Sequence, residues 1–261
     1  MGRDRRAARF GRGLIDRHIV AMGGGGFSME PANRLLDDFV LSLARRRARP
    51  RICFVPTASG DSDIYMRRFY ESFPPSRAAA TSLRLFERTV SDLRGFVLEQ
   101  DVIYVGGGAT ANLLAVWRLH GLDRALREAW RRGVVMAGVS AGAICWFEDG
   151  ITDSFGTPFR ALNDGLGFLH GGFCPHYDGE SSRQAVLRRL VARGFPPTFA
   201  ADDGAALHFV ATRLKEAVSS RANARARRVH LRGGQVVEAE LRVRYLGGPP
   251  ARARNRDRVV D

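Results

Sequence analysis

Lysine is almost missing from this chain. Lys215 is the only one found among 41 Lys and Arg residues, so the net charge of +14 is nearly all arginine. Such a bias points to codon composition rather than to selection for phosphate contacts. Much of the excess lies near the ends, at Arg3, Arg5, Arg6, Arg9, Arg12 and Arg17 and again at Arg252, Arg254, Arg256 and Arg258. These termini are expected to be disordered. Arg45-Arg46-Arg47 and Arg131-Arg132 fall in or after the last turns of expected helices, where cations offset the macrodipole. No aromatic residues alternate with basic ones to make a stacking platform for bases. No specific nucleic-acid partner is therefore expected.

Other absences narrow the class further. Three cysteines, Cys53, Cys145 and Cys174, are an odd number at no metal-like spacing, which fits a reduced, cytoplasmic setting. The apolar runs are strand-sized, so no membrane span is expected. The basic N-terminus has no apolar core of a secretory signal. No H-E-x-x-H or comparable grouping suggests a metal. Gly24-x-Gly26 follows an apolar strand, but Met29 stands where the third glycine of a dinucleotide fingerprint belongs, and no cofactor is expected. Neither an internal repeat nor a linker divides the chain. The expectation is one domain over 18–248, flanked by basic extensions at 1–17 and 249–261.

What is present is an alternation of strands and helices. Ile19–Met22, Ile52–Val55, Ser82–Phe86 and Val102–Val105 read as strands, as does the run before Gly138. Helices are expected from Pro31 to about Arg46, Asp63 to Ser72, Asp92 to Leu98, Ala111 to His120 and Asp123 to Arg131. The pattern predicts a mostly parallel sheet with helices on both faces. Beyond about Phe195 come shorter segments, Ala205–Thr212, Arg228–Leu231 and Gln235–Val237, read as an antiparallel extension of the same domain. In such folds ligands bind beyond the carboxyl ends of the strands.

At that edge lies Gly138-Val139-Ser140-Ala141-Gly142, a G-x-S-x-G segment between an expected strand and an expected helix running to Phe147. The glycines allow a strained turn that lifts the Ser140 hydroxyl clear of the sheet, and the Ala141 amide points where an oxyanion would form. The plain alternative is a tight strand-to-helix turn that needs small residues. Gly106-Gly107-Gly108 also follows a strand, and its amides could bind a phosphate or supply a second oxyanion donor. Serine needs a base. Among the histidines, His176 stands out, on a Pro-stiffened turn after Gly171-Gly172. Two carboxylates could orient it, Asp153 and Asp203, the latter favoured because its strand end should reach the same edge. Cys174, two residues before His176, offers a rival thiol nucleophile.

Taken together, these segments resemble the peptidase E family, the S51 serine peptidases, which include alpha-aspartyl dipeptidase and cyanophycinase. The matching motifs are Val105-Gly106-Gly107-Gly108-Ala109-Thr110 with Leu113-Leu114, Gly138 to Ala143, Thr152-Asp153, Pro175-His176-Tyr177 and Asp202-Asp203-Gly204. The resemblance implies an α/β fold related to class I glutamine amidotransferases, with Ser in place of their Cys. It implies Ser140 as nucleophile, His176 as base, and Asp153 and Asp203 as the aspartates of the site. Gly107, Gly108 and Ala141 would hold the oxyanion, with Arg183 and Thr110 on the substrate and Arg183 pairing with an aspartyl carboxylate. The family usually has Asn where this chain has Ala109. The expected partner is a small peptide, and a homodimer is compatible with the sequence. The alternatives are another amide or ester hydrolase with the same machinery, or a catalytically silent binding protein.

Overall fold

Five short strands make the centre of the molecule, and all but the half-buried edge strand at Ala79–Ser82 carry apolar side chains on both faces. They are β1 (His18–Met22), β2 (Arg51–Val55), β3 (Ala79–Ser82), β4 (Val102–Val105) and β5 (Val135–Val139). All pair in parallel, in the order β1-β5-β4-β2-β3. Because strand side chains alternate, Ile19, Ala21, Cys53, Val55, Ile103 and Val105 enter one core. Val20, Met22, Ile52, Phe54, Val102 and Tyr104 enter the other. Burial on both faces is why these strands read as unbroken apolar runs. Helices α1 (Gly26–Met29), α2 (Leu35–Ser42) and α3 (Asp63–Ser72) cover the second core through Phe27, Leu36, Val40, Met66 and Phe69. Helices α4 (Leu93–Leu98), α5 (Thr110–His120) and α6 (Leu122–Arg131) cover the first through Val97, Trp117, Leu126 and Trp130. This computed structural model describes residues 16–46, 48–179 and 181–248. Of the disorder expected at 1–17 and 249–261, residues 1–15 and 249–261 lie outside the described residues, as does Arg47, whereas the Arg17 carbonyl accepts from Ala211 N at 2.7 Å and its guanidinium lies 4.8 Å over the Trp130 ring.

After β5 the chain makes a single helical turn, α7 (Ala141–Ile144), and then builds a second sheet. Strands β6 (Phe147–Thr152), β7 (Arg160–Leu162) and β8 (Leu169–Cys174) precede helix α8 (Ser181–Ala192) and strand β9 (Thr198–Ala201). Strands β6, β8 and β9 are parallel, and α8 packs beside them through Leu187 and Val191. The chain then returns to the first sheet with β10 (Ala205–Val210), antiparallel to β1, and β11 (Arg213–Ser219). It crosses again for the hairpin β12 (Ala226–Arg232) and β13 (Gln235–Glu240), antiparallel on β9, before β14 (Val243–Tyr245) closes the first sheet beside β11.

The expected α/β architecture, mostly parallel with antiparallel C-terminal strands, is therefore present, but divided between an eight-stranded and a six-stranded sheet. Three local expectations differ from the structure, each for a visible reason. The strand expected at Ser82–Phe86 lies at Ala79–Ser82, because the Asp61 carboxylate takes the amides of Leu85 (2.6 Å) and Phe86 (2.8 Å) out of any ladder. The helix expected from Pro31 begins at Leu35, where the Asn33 side chain caps its amide and reaches Ser220 O. The helix after Ser140 stops at Ile144 because Phe147 already pairs with Leu169 in the second sheet. Among the described residues no helix is long and apolar enough to cross a membrane.

One buried contact makes stability pH-dependent. His208 Nε2 lies 3.0 Å from His18 Nδ1 between β10 and β1, with Glu216 Oε1 3.6 Å from its other nitrogen and Lys215 nearby. Burial first, then the neighbouring His18, holds the His208 pKa well below 6.5. The unfolded chain binds this proton more readily than the folded one, so stability falls as pH drops below 6.5. The slope is at most about 1.4 kcal/mol per pH unit. We expect urea midpoints to fall between pH 7 and pH 5, and His208→Phe to flatten that part of the profile.

Candidate active site

Ser140 stands at the carboxyl end of β5 with φ 55° and ψ −116°, a strained conformation for a residue with a side chain. Its neighbours explain why the turn is possible. A Cβ on Gly138 would meet Gly142 O, and one on Gly142 would meet Val105 O. Both glycines of the motif are thus required by close backbone approach. The Ser140 amide donates to Met22 O at 3.1 Å, while its carbonyl accepts from Ala143 and Ile144 at 2.9 and 3.0 Å. The elbow is pinned between β1 and α7.

His176 and Asp203 arrive from the second sheet, just past the ends of β8 and β9. The Ser140 hydroxyl lies 2.9 Å from His176 Nε2, and His176 Nδ1 lies 2.6 Å from Asp203 Oδ1. The hydrogen bond from His176 holds the Asp203 carboxyl below its ordinary pKa, against the opposing effect of burial. An ionised carboxylate can only accept, so Nδ1 carries the proton and Nε2 is left to accept from Ser140. Asp203 and His176 are each about 18% exposed, so bulk water screens this pair only partly.

The loops that bring these groups together are bonded to the glycine run after β1, the bond from His176 reaching from the six-stranded sheet to the eight-stranded one and the other two lying beside the β1–β10 pairing. The His176 amide donates to Gly23 O (3.2 Å), Gly204 N to Gly24 O (3.0 Å) and Gly23 N to Ala205 O (2.9 Å). Asp178, which the sequence reading did not select, accepts from Asp203 N at 2.9 Å. A Cβ on Gly24 would strike Asp203 Oδ1 and come within 3.0 Å of His176 Nδ1. The glycine run after β1 therefore leaves room for the histidine and aspartate.

The remaining candidates divide into those beside Ser140 and those apart from it. Asp153 does not contact His176 but is exposed at the rim of a pocket of about 170 Å³. Thr110, Ser140, Ala141, Ile151, His176 and Arg183 also line that pocket. Thr110 is 1% exposed, and its hydroxyl makes no hydrogen bond among the described residues. Arg183 is buried, donates to Ile151 O at 3.1 Å and lies 4.0 Å over the Phe159 ring. Ser154 ties the Asp153 loop to α5 by accepting from Ala111 N at 3.2 Å. On the other side of Ser140 lies a larger cleft of about 450 Å³, reached by Gly107 and Gly108. The Gly107 amide donates to the Tyr65 hydroxyl at 3.3 Å, whereas the amides of Gly108 and Ala141 donate no turn or loop bond among the described residues. Cys174 is buried among Ile151, Tyr177 and Val186 and lines neither of the pockets beside Ser140.

Space at Gly24 can be tested directly. Gly24→Ala should push the Asp203 carboxylate off His176, at about 1–3 kcal/mol in stability. We expect a lower denaturant midpoint together with loss of the far-downfield proton resonance of the His176–Asp203 bond.

Comparison with known proteins places this arrangement. The chain is 54% identical over 232 residues to the uncharacterized peptidase YgaJ of Bacillus subtilis (strain 168), an alignment spanning 88% of this chain and all of that one. Its fold is similar to the crystal structure of a peptidase from an acI-B1 Actinobacterium, with TM-score 0.65 and 16% identity over 87% of this chain and 96% of the other. A putative peptidase E protein of Listeria monocytogenes EGD-e is similar at TM-score 0.57 and 14% identity, covering 76% of this chain and 96% of that one. Residues 19–217 match the sequence model of peptidase family S51, and the chain belongs to that family of serine-type peptidases.

Proposed function

We propose that this peptidase hydrolyses small peptides with an acidic first residue through a Ser140-His176-Asp203 triad and an acyl-enzyme. The observation that carries the reading is the continuous line from Ser140 Oγ through His176 to Asp203, with bonds of 2.9 and 2.6 Å. Ser140 attacks the carbonyl of the first residue while His176 Nε2 takes its proton. The amides of Gly108 and Ala141 hold the oxyanion, and Gly107 is given instead to Tyr65. His176 then protonates the leaving amine, and water, deprotonated by the same nitrogen, releases the acyl group. Asp203 keeps the imidazole in the required tautomer.

The pocket of about 170 Å³ supports the acidic preference. It places a guanidinium, a carboxylate and an unpartnered buried hydroxyl on one side of Ser140. Arg183 and Thr110 would take the aspartyl carboxylate, and Asp153 the free ammonium of the same residue. This assigns the two aspartates different tasks, with Asp203 orienting the base and Asp153 holding substrate. The buried, reduced thiols of Cys53 and Cys145 fit the proposed cytoplasmic setting.

A fluorophosphonate should label wild-type protein at Ser140 and leave Ser140→Ala untouched; an unlabelled wild type would make the site a silent pocket. Asp203→Asn should slow acylation by on the order of 10,000-fold, whereas Asp153→Asn should chiefly raise KM. Arg183→Met should raise KM for Asp-containing dipeptides by tenfold or more and leave neutral dipeptides nearly unchanged. An equal effect on both would remove the acidic preference from the reading.

A further inference from the structure

The cleft of about 450 Å³ on the opposite side of Ser140 has no role in holding the first residue. Its size falls within the roughly 300–1,000 Å³ of small-ligand sites. Three of its walls come from one helix. Ile64, Tyr65 and Arg68 of α3 all line it, with Met29 of α1 and Val139 of β5. Tyr65 sets the position of that helix, since its hydroxyl accepts from Gly107 N beside the nucleophile. Arg68 sits three residues further along α3, about 4.5 Å along the axis from Tyr65.

Arg68 is the only arginine lining this cleft, and no Asp or Glu lines it among the described residues. Arg68 forms no ion pair or side-chain hydrogen bond there, in contrast to Arg221, Arg227 and Arg188, whose partners are Glu30, Asp202 and Glu238. It also lies at a junction. An adjoining groove of about 430 Å³, lined by Pro31, Arg34, Glu71 and Ser72, begins where Arg68 ends the cleft. Met29 and Ile64 leave apolar walls open to solvent, at 47% and 58% exposure, between Ser140 and this cation.

From this we infer that Arg68 binds the C-terminal carboxylate of the leaving residue, so the site selects dipeptides with a free C-terminus and an apolar second residue. This rests on Ser140 being the nucleophile and on the first residue occupying the smaller pocket. One residue past the scissile carbonyl advances the chain by at most about 3.6 Å, which keeps the carboxylate of a dipeptide inside the cleft that Ser140 and Arg68 both line. The apolar side chain of that residue covers Met29 and Ile64. A longer peptide has an amide at this point and must continue past Arg68 into the groove beside Glu71. The guanidinium then meets a neutral group, and the charge-assisted bond is lost.

The test compares Asp-Leu and Ala-Leu, each as the free acid and as the C-terminal amide, on wild type, Arg68→Met and Arg68→Lys. We expect wild type to prefer the acid by at least tenfold in kcat/KM, whichever first residue it accepts. Arg68→Met should raise KM for the acid until acid and amide are equal, with the amide rate unchanged, and Arg68→Lys should restore part of the preference. A wild type that labels with fluorophosphonate yet cleaves acid and amide equally overturns the role of Arg68 alone. So does an Arg68→Met variant that slows both substrates alike. A wild type that neither labels nor cleaves overturns the Ser140 reading, and this inference with it.

Discussion

The hydrogen bond between Ser140 and His176 joins two sheets, and most of the architecture can be understood as holding its two ends in register. Ser140 follows β5 of the eight-stranded sheet, His176 follows β8 of the six-stranded one, and Asp203 lies in the turn that carries the chain from β9 back to β10. A bond of this length tolerates little relative sliding of the sheets. The bond from His176 N to Gly23 O crosses between the sheets, and those from Gly204 N and Gly23 N fix the Asp203 turn against the end of β1. Phe147, Phe173, Phe199 and Phe209 pack edge-on or stacked behind it, fixing the distance between the sheets with rigid rings.

The glycines share this constraint more than any side chain does. Gly24, Gly138 and Gly142 lie where another backbone or the Asp203 carboxylate passes so closely that a methyl group has no room. Of the three, only Gly138 and Gly142 belong to a motif that announces itself. Gly24 lies in a run that looks like a failed dinucleotide loop, and its purpose becomes visible once Asp203 is placed against it.

Charge is arranged asymmetrically around Ser140. The small pocket brings a cation, Arg183, and an anion, Asp153, to its wall beside Ser140. The large cleft has Arg68 and open apolar walls. Neither pocket needs the strongly basic composition of the chain, and many of its arginines are spent on exposed ion pairs such as Arg94–Glu128 and Arg244–Glu216, each of modest worth.

Much was legible in the order of residues alone. The period of apolar side chains in β1, β2 and β4, the glycine-flanked serine after β5, and the Asp63–Ser72 and Leu93–Leu98 helices are local patterns, governed by backbone sterics and alternation. The S51 relationship followed from the order of short motifs. What the sequence could not decide was anything requiring two distant segments to meet. Asp153 and Asp203 are equivalent as residues, and only the approach of the β9 end to the β8 end puts Asp203 on His176 and leaves Asp153 at a pocket rim. The division into two sheets is of the same kind, since a strand does not record which sheet it joins. Tyr65 and Arg68 carried no motif, and helix α3 reads simply as an amphipathic helix until the cleft beside Ser140 shows which of its faces is bare. Local geometry is written in neighbouring residues, whereas the pairing of a base with its carboxylate depends on closing loops across the whole chain.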